Sequence, residues 1–171
     1  MMDLTSLSMS TNERARGYEM EKKEFSKARR HLEKTQGQMA PLLGVSLKAI
    51  QSFEQGWRKI PTYIERQTLF LLAMKTSRLN KARPCWETRK CSLEIKQNCP
   101  AWEFRVGNLC WFINGTVCDG EIQESWRKKM RICQKCVVFQ AIFGASPGER
   151  HGINRRKRAF GPKPRRSPTQ E

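Results

Sequence analysis

The most restrictive feature of this chain is a helix stop followed almost at once by a helix start. Gly44 suits the left-handed residue that ends a helix, and Ser46, two positions on, suits the cap that begins the next. Only Val45 lies between them, so two short helices must meet at a steep angle. Thr35 caps the helix leading into the turn, which runs to about Leu43. The following helix runs from Leu47 to about Gln55 and is closed by Gly56. Phe25, Ala28 and Leu32 share one face of a preceding helix. Pro61 fits the first turn of a fourth helix, whose apolar face holds Ile64, Leu69, Leu72 and Ala73. Ala40, Leu43, Val45, Ile50 and Phe53 make an apolar wedge for the helix pair, with Ala40 small where the two helices approach. Two residues work against the second helix. Gly37 weakens it, and Pro41 removes a hydrogen bond at a typical cost of ~3 kcal/mol, so it is expected to be kinked or held mainly by packing.

The run Thr35-Gln36-x-Gln38-Met39-Ala40-x-x-Leu43-Gly44-Val45-Ser46-x-x-x-Ile50-x-x-Phe53-Glu54-Gln55-Gly56-x-Arg58-Lys59-x-Pro61 resembles the phage-repressor-like (XRE) helix-turn-helix family. The resemblance implies a repressor-like bundle of four or five helices that binds double-stranded DNA sequence-specifically. It places Leu47, Lys48, Gln51 and Ser52 on the base-facing side of the recognition helix, behind its cap Ser46. Lys48 can donate to guanine, Gln51 can pair with adenine or a phosphate, and Leu47 can only touch a thymine methyl. Gln36, with Gln38 one turn further in, falls at a phosphate-contacting helix start. Arg58 and Lys59, in the loop that follows, would position the DNA backbone without reading sequence. Such proteins act as dimers on palindromic sites, which makes a homodimer the natural assembly, although no residue marks a dimer face.

Charge agrees with that partner. Thirty-three Lys and Arg oppose 16 Asp and Glu, a formal net charge of +17. Basic surfaces bind polyanions by releasing their condensed counterions. RNA is the weaker fit, because the exposed aromatic strand pattern of common RNA modules is missing. No apolar run approaches the ~20 residues needed to span a bilayer. The N-terminus lacks the basic start and apolar core of a signal peptide, so a cytoplasmic protein without a membrane partner is expected.

All seven cysteines (Cys85, Cys91, Cys99, Cys110, Cys118, Cys133 and Cys136) and four of the five tryptophans lie between residues 85 and 136. In a reducing compartment, clustered thiols more often bind metal than form disulfides. Only Cys133 and Cys136 form a close CxxC pair, and the other spacings are looser than those of a zinc finger. Either zinc or an iron–sulfur cluster fits, with plain buried thiols as the alternative. Pro84-Cys85-Trp86-Glu87, Cys99-Pro100-Ala101, Cys110-Trp111, Asn114-Gly115-Thr116-x-Cys118 and the closing Cys133-x-x-Cys136 resemble a small bacterial module named for its two Cys-Trp pairs. That resemblance implies an irregular cysteine-rich accessory module of regulatory proteins that holds a metal or a cluster. So short a segment has little core of its own and needs an internal staple.

These readings divide the chain into a disordered N-terminus at 1–19, a helical DNA-binding domain at 20–78, a linker at 79–83, the cysteine-rich module at 84–140 and a disordered basic tail at 141–171. The tail carries Arg155-Arg156-Lys157-Arg158, which either adds nonspecific DNA affinity or merely solubilises. The fold class expected is mainly α. His31 and His151 are isolated, and no nucleophile–base pair, phosphate-cradling loop or paired carboxylates stand out, so an enzyme is not expected. Two functions compete. One is a DNA-binding transcriptional regulator, redox- or metal-responsive through its cysteines. The other is a metal-binding adaptor whose helical head binds a protein partner.

Overall fold

The computed structural model describes residues 18–76 and 78–144; the expected disorder of the N-terminus before residue 18 and of the tail beyond residue 144 lies outside the described residues. Helices dominate. The first four are α1 (Lys22–His31), α2 (Gln36–Leu42), α3 (Leu47–Gln55) and α4 (Thr62–Lys75). Their ends follow from local chemistry. Thr35 and Gln38 close a reciprocal capping box on α2, Ser46 accepts the Ala49 N–H at the start of α3, and Gly56 ends α3 in the left-handed region. Gly44 has φ +64, which a side chain rarely adopts, and the Val45 N–H then reaches back to the Ala40 carbonyl at 3.0 Å. Pro61 is the cap of α4 in extended conformation, one position ahead of the first helical residue.

Pro41 stands in the last turn of α2. There its missing N–H forfeits a single hydrogen bond, and the turn recovers with Leu43 N–H to Met39 O at 3.1 Å. Packing supplies the rest. Met39, Ala40, Leu43, Ile50 and Phe53 are buried, and Phe53 meets Phe25 of α1 edge to face with centroids 5.9 Å apart.

The chain beyond α4 turns back onto the same core. The stretch read as a linker begins inside a helical turn, α5 (Arg78–Lys81), where Leu79 is buried and its carbonyl accepts from the Asn108 amide. Short pieces follow: α6 (Cys85–Thr88), α7 (Leu93–Gln97), α8 (Pro100–Glu103) and a 3₁₀ turn at Gly107–Leu109. A minimal antiparallel hairpin pairs β1 (Val117–Cys118) with β2 (Glu121–Ile122), with Cys118 opposite Glu121. Helices α9 (Trp126–Lys135) and α10 (Val137–Phe143) close the described chain. The basic tail therefore does not begin at 141, because α10 continues to Phe143 and Ile142 is fully buried.

One apolar cluster joins both halves. Leu69, Ala73 and Leu79 share it with Trp111, Trp126, Met130, Phe139 and Ile142. Two polar ties cross the same boundary. Glu65 of α4 accepts the Trp126 indole N–H at 2.9 Å and, on its other oxygen, the Met20 N–H at 2.6 Å. The Arg66 guanidinium donates to the Phe112 carbonyl at 2.8 Å while stacking over the Phe112 and Trp126 rings. No helix of the described residues is long and apolar enough to cross a membrane.

Candidate functional site

Two places concentrate chemistry. The first is the outer face of α3. Its inner face (Ile50, Ser52 and Phe53) is buried, which leaves Leu47, Lys48 and Gln51 facing out at the N-terminal end. The Lys48 and Gln51 side chains are exposed and bind no other described residue. Arg58 and Lys59 flank this face on the loop that follows; Lys59 touches Glu19 at 3.4 Å but stays 84% exposed.

The remaining residues singled out for DNA contact are engaged within the fold. Ser52 is buried, and its hydroxyl donates to the Lys48 carbonyl at 2.8 Å. Gln36 donates its amide to Glu54 at 2.6 Å. The Gln38 side-chain oxygen accepts the Thr35 N–H, and the Ser46 hydroxyl caps α3. The structure thus brings Leu47, Lys48, Gln51, Arg58 and Lys59 to one exposed region and gives Gln36, Gln38, Ser46 and Ser52 structural bonds.

Glu54 anchors this arrangement from behind. Its carboxylate takes two bonds from Arg29, at 2.7 and 3.1 Å, besides the one from Gln36. Desolvation works against the charge, but the bonds from Arg29 and Gln36 and the Arg29 charge outweigh it and hold the carboxyl below its usual range. The pair fixes α3 against α1 and α2.

The second place is a cavity of about 360 Å³ lined by Cys85, Cys91, Cys99, Cys110 and Cys118. Its walls include Trp86 and Trp102, packed edge to face at 5.0 Å, and the Arg105 guanidinium stacks on Trp102. Short elements deliver the sulfurs: Cys85 opens α6, Cys99 caps α8, Cys110 follows the 3₁₀ turn and Cys118 sits on β1. Gly107 allows the close approach behind them, since a Cβ there would lie 2.6 Å from the Trp86 ring and 2.7 Å from Pro84. Arg89 and Asp119 pair across the rim.

The thiols differ. The hydrogen bond from Cys110 lowers the Cys85 pKa below the usual thiol range, while that same contact and burial keep Cys110 protonated far above it. Burial raises Cys91 and Cys118, and pushes Cys133 up to about 12. Cys133 and Cys136, the close CxxC pair, are not among the lining residues; Cys133 packs into the shared core from α9. Among the described residues, no group of three or more His, Cys, Asp or Glu side chains is placed to hold a single metal ion. No protein-family model, curated protein or solved structure matches the chain.

Three features of these sites escape a reading by motif. They are the Arg29–Glu54 pair, the doubly bonded Glu65 and the buried Lys129. The last two carry a signal all the same, because each is a charge inside an apolar stripe. Lys129 falls among Trp126, Met130 and Cys133, and Glu65 among Ile64, Thr68 and Leu69.

Proposed function

We propose that the chain is a sequence-specific double-stranded-DNA-binding transcriptional regulator of the phage-repressor-like kind, whose cysteine-rich half carries a metal or iron–sulfur centre that makes DNA binding responsive to it. The observation that carries this reading is the outer face of α3. A helix held out by a tight turn presents Leu47, Lys48 and Gln51 with nothing covering them, and Arg58 and Lys59 stand alongside. A helix placed so can enter a major groove, where Lys48 would donate to guanine and Gln51 would read adenine, while the two loop cations would meet phosphates.

The test is selection of bound duplexes from a random pool, followed by affinity titration. Lys48→Ala is expected to weaken the selected site about five- to a hundredfold, matching ~1–3 kcal/mol for one base contact. Arg58→Ala is expected to weaken all sequences alike and flatten the salt dependence. Enrichment of no sequence would overturn the reading.

A second reading rests on one observation. Trp57 is 79% exposed beside α3, and Leu47 and Leu42 are each more than 40% exposed, which suits a protein-binding adaptor. Under that reading Trp57→Ala abolishes partner capture, and the duplex pool yields no enriched sequence.

A further inference from the structure

The geometry points to a [4Fe–4S] cluster, not a zinc ion, in the cysteine-lined cavity, with Cys85, Cys99, Cys110 and Cys118 as its ligands. This deepens the metal half of the proposed function and does not depend on DNA binding.

Size decides first. A zinc ion holds its sulfurs ~2.3 Å from one point, so four thiols must converge tightly. Here no three ligand side chains gather around a single point among the described residues, yet five cysteines surround one hollow. Its volume of about 360 Å³ is roughly a dozen times the ~30 Å³ share of one water. One ion would leave such a hollow mostly empty. A cube of four irons and four sulfides fills far more of it and takes one thiolate at each iron.

Charge decides second. Lys129 is 1% exposed, and its ammonium donates to the Ile113 carbonyl and the Thr116 hydroxyl. No carboxylate forms an ion pair with it among the described residues, although an isolated buried ammonium is very costly. Thr116 lines the cavity, and its hydroxyl lies 3.7 Å from the Cys118 sulfur. The anion facing Lys129 is therefore the sulfur-rich centre itself. A [4Fe–4S]²⁺ core with four thiolates carries a net charge of −2, which a fixed cation behind the wall stabilises.

The four ligands follow from anchoring. Cys85 and Cys99 pack with Cys110 on the apolar cluster around Ala101, and Cys118 bonds to Thr116. Cys91 lies outside α6 and joins neither group, so it stands at the rim as the spare thiol.

The test is anaerobic reconstitution of the full chain with ferrous iron and sulfide, read by iron and sulfide analysis, absorption and Mössbauer spectroscopy. Four irons and four sulfides per chain, with broad absorption near the visible blue edge, are expected. Cys91→Ser keeps them, while Ser at position 85, 99, 110 or 118 loses or degrades them, each variant being checked for folding by near-ultraviolet circular dichroism. Lys129→Gln shifts the one-electron midpoint to a more negative value, because the electron taken from the electrode makes the centre −3 beside one cation fewer. One zinc per chain with no sulfide bound, or a folded protein that takes up neither iron nor sulfide, overturns the proposal. Cluster loss in a folded Cys91→Ser protein overturns the ligand assignment. None of these outcomes bears on whether α3 binds DNA.

Discussion

Glu54 shows how much of the α3 face is set by a single side chain pointing away from it. The residue reads as one polar position of a surface helix, yet its side chain is 9% exposed and collects Arg29 and Gln36 on its two oxygens. Because its folded pKa is lowered, the stability it confers is present above the usual carboxylate range and is lost as pH falls through the lowered value. Glu54→Gln is therefore expected to cost about 2–4 kcal/mol near neutral pH, since it leaves the Arg29 charge without its partner. The difference from the unsubstituted protein should shrink steadily as the pH of urea titrations is lowered below about 4. A difference independent of pH would mean that the carboxylate charge is not what holds α1, α2 and α3 together. Gln36 belongs to the same account. Its type and position suit a phosphate contact, and only its three-dimensional neighbour explains why its amide is turned inward. A sequence shows which residue can donate, but the partner reached across 18 positions comes from the tertiary fold.

At the scale of elements, legibility follows length and punctuation. Helices α1 to α4 carry caps and a clear apolar face, so their placement by spacing agrees with the observed bounds to within a residue or two. Helices α5 to α8 have four or five residues each, too few to complete an apolar repeat, and they are held by cysteine, tryptophan and proline contacts that no periodicity encodes. The packing of α4 on α9 was legible only as an anomaly, a carboxylate in one stripe and an indole in the other. Glu65 is 1% exposed, and burial raises its pKa despite the bonds from Met20 and Trp126. Trp126→Phe keeps most of the packing and removes the indole N–H, leaving one carboxylate oxygen without a donor. The expected loss is about 1–3 kcal/mol in denaturant unfolding. Because the folded pKa is then raised further, the loss grows as pH rises through that raised value and is smallest in acid, opposite in sign to the Glu54 case. A Trp126→Phe protein as stable as its parent at every pH would show that the bond between α4 and α9 contributes nothing.

For the molecule as a whole, the question is whether an α3 face and a cysteine cavity this far apart in sequence behave as one body or two. A linker at 79–83 would make them two domains, each unfolding alone. The structure instead threads α5 through the core, ties Leu79 to Asn108, and fills the space beside α4 with Trp111, Met130, Phe139 and Ile142. Tyr18, at the start of the described chain, donates its N–H to Arg127 near its end, so α9 also secures the approach to α1. Apolar surface shared between segments is exposed when either leaves, at ~25 cal/mol per Å². Removing everything after residue 83 uncovers the α4 residues Leu69 and Ala73 and strips both the Trp126 donor from Glu65 and the Phe112 acceptor from Arg66. The full chain is accordingly expected to unfold in one transition. Far-ultraviolet circular dichroism, dominated by the helices, and tryptophan fluorescence, dominated by the four indoles beyond residue 85, should give the same urea midpoint. The fragment ending at residue 83 should be less stable than the same helices in the full chain by several kcal/mol, and more prone to self-association through its uncovered face. Two separated transitions in the full chain, or a fragment as stable as its parent, would return the molecule to a head on a tether. In that case a change at the cysteine cavity would have no packed route to α3. With a single transition, α4 is that route, because it touches α1 on one side and carries Glu65 and Arg66 toward Trp126 and Phe112 on the other.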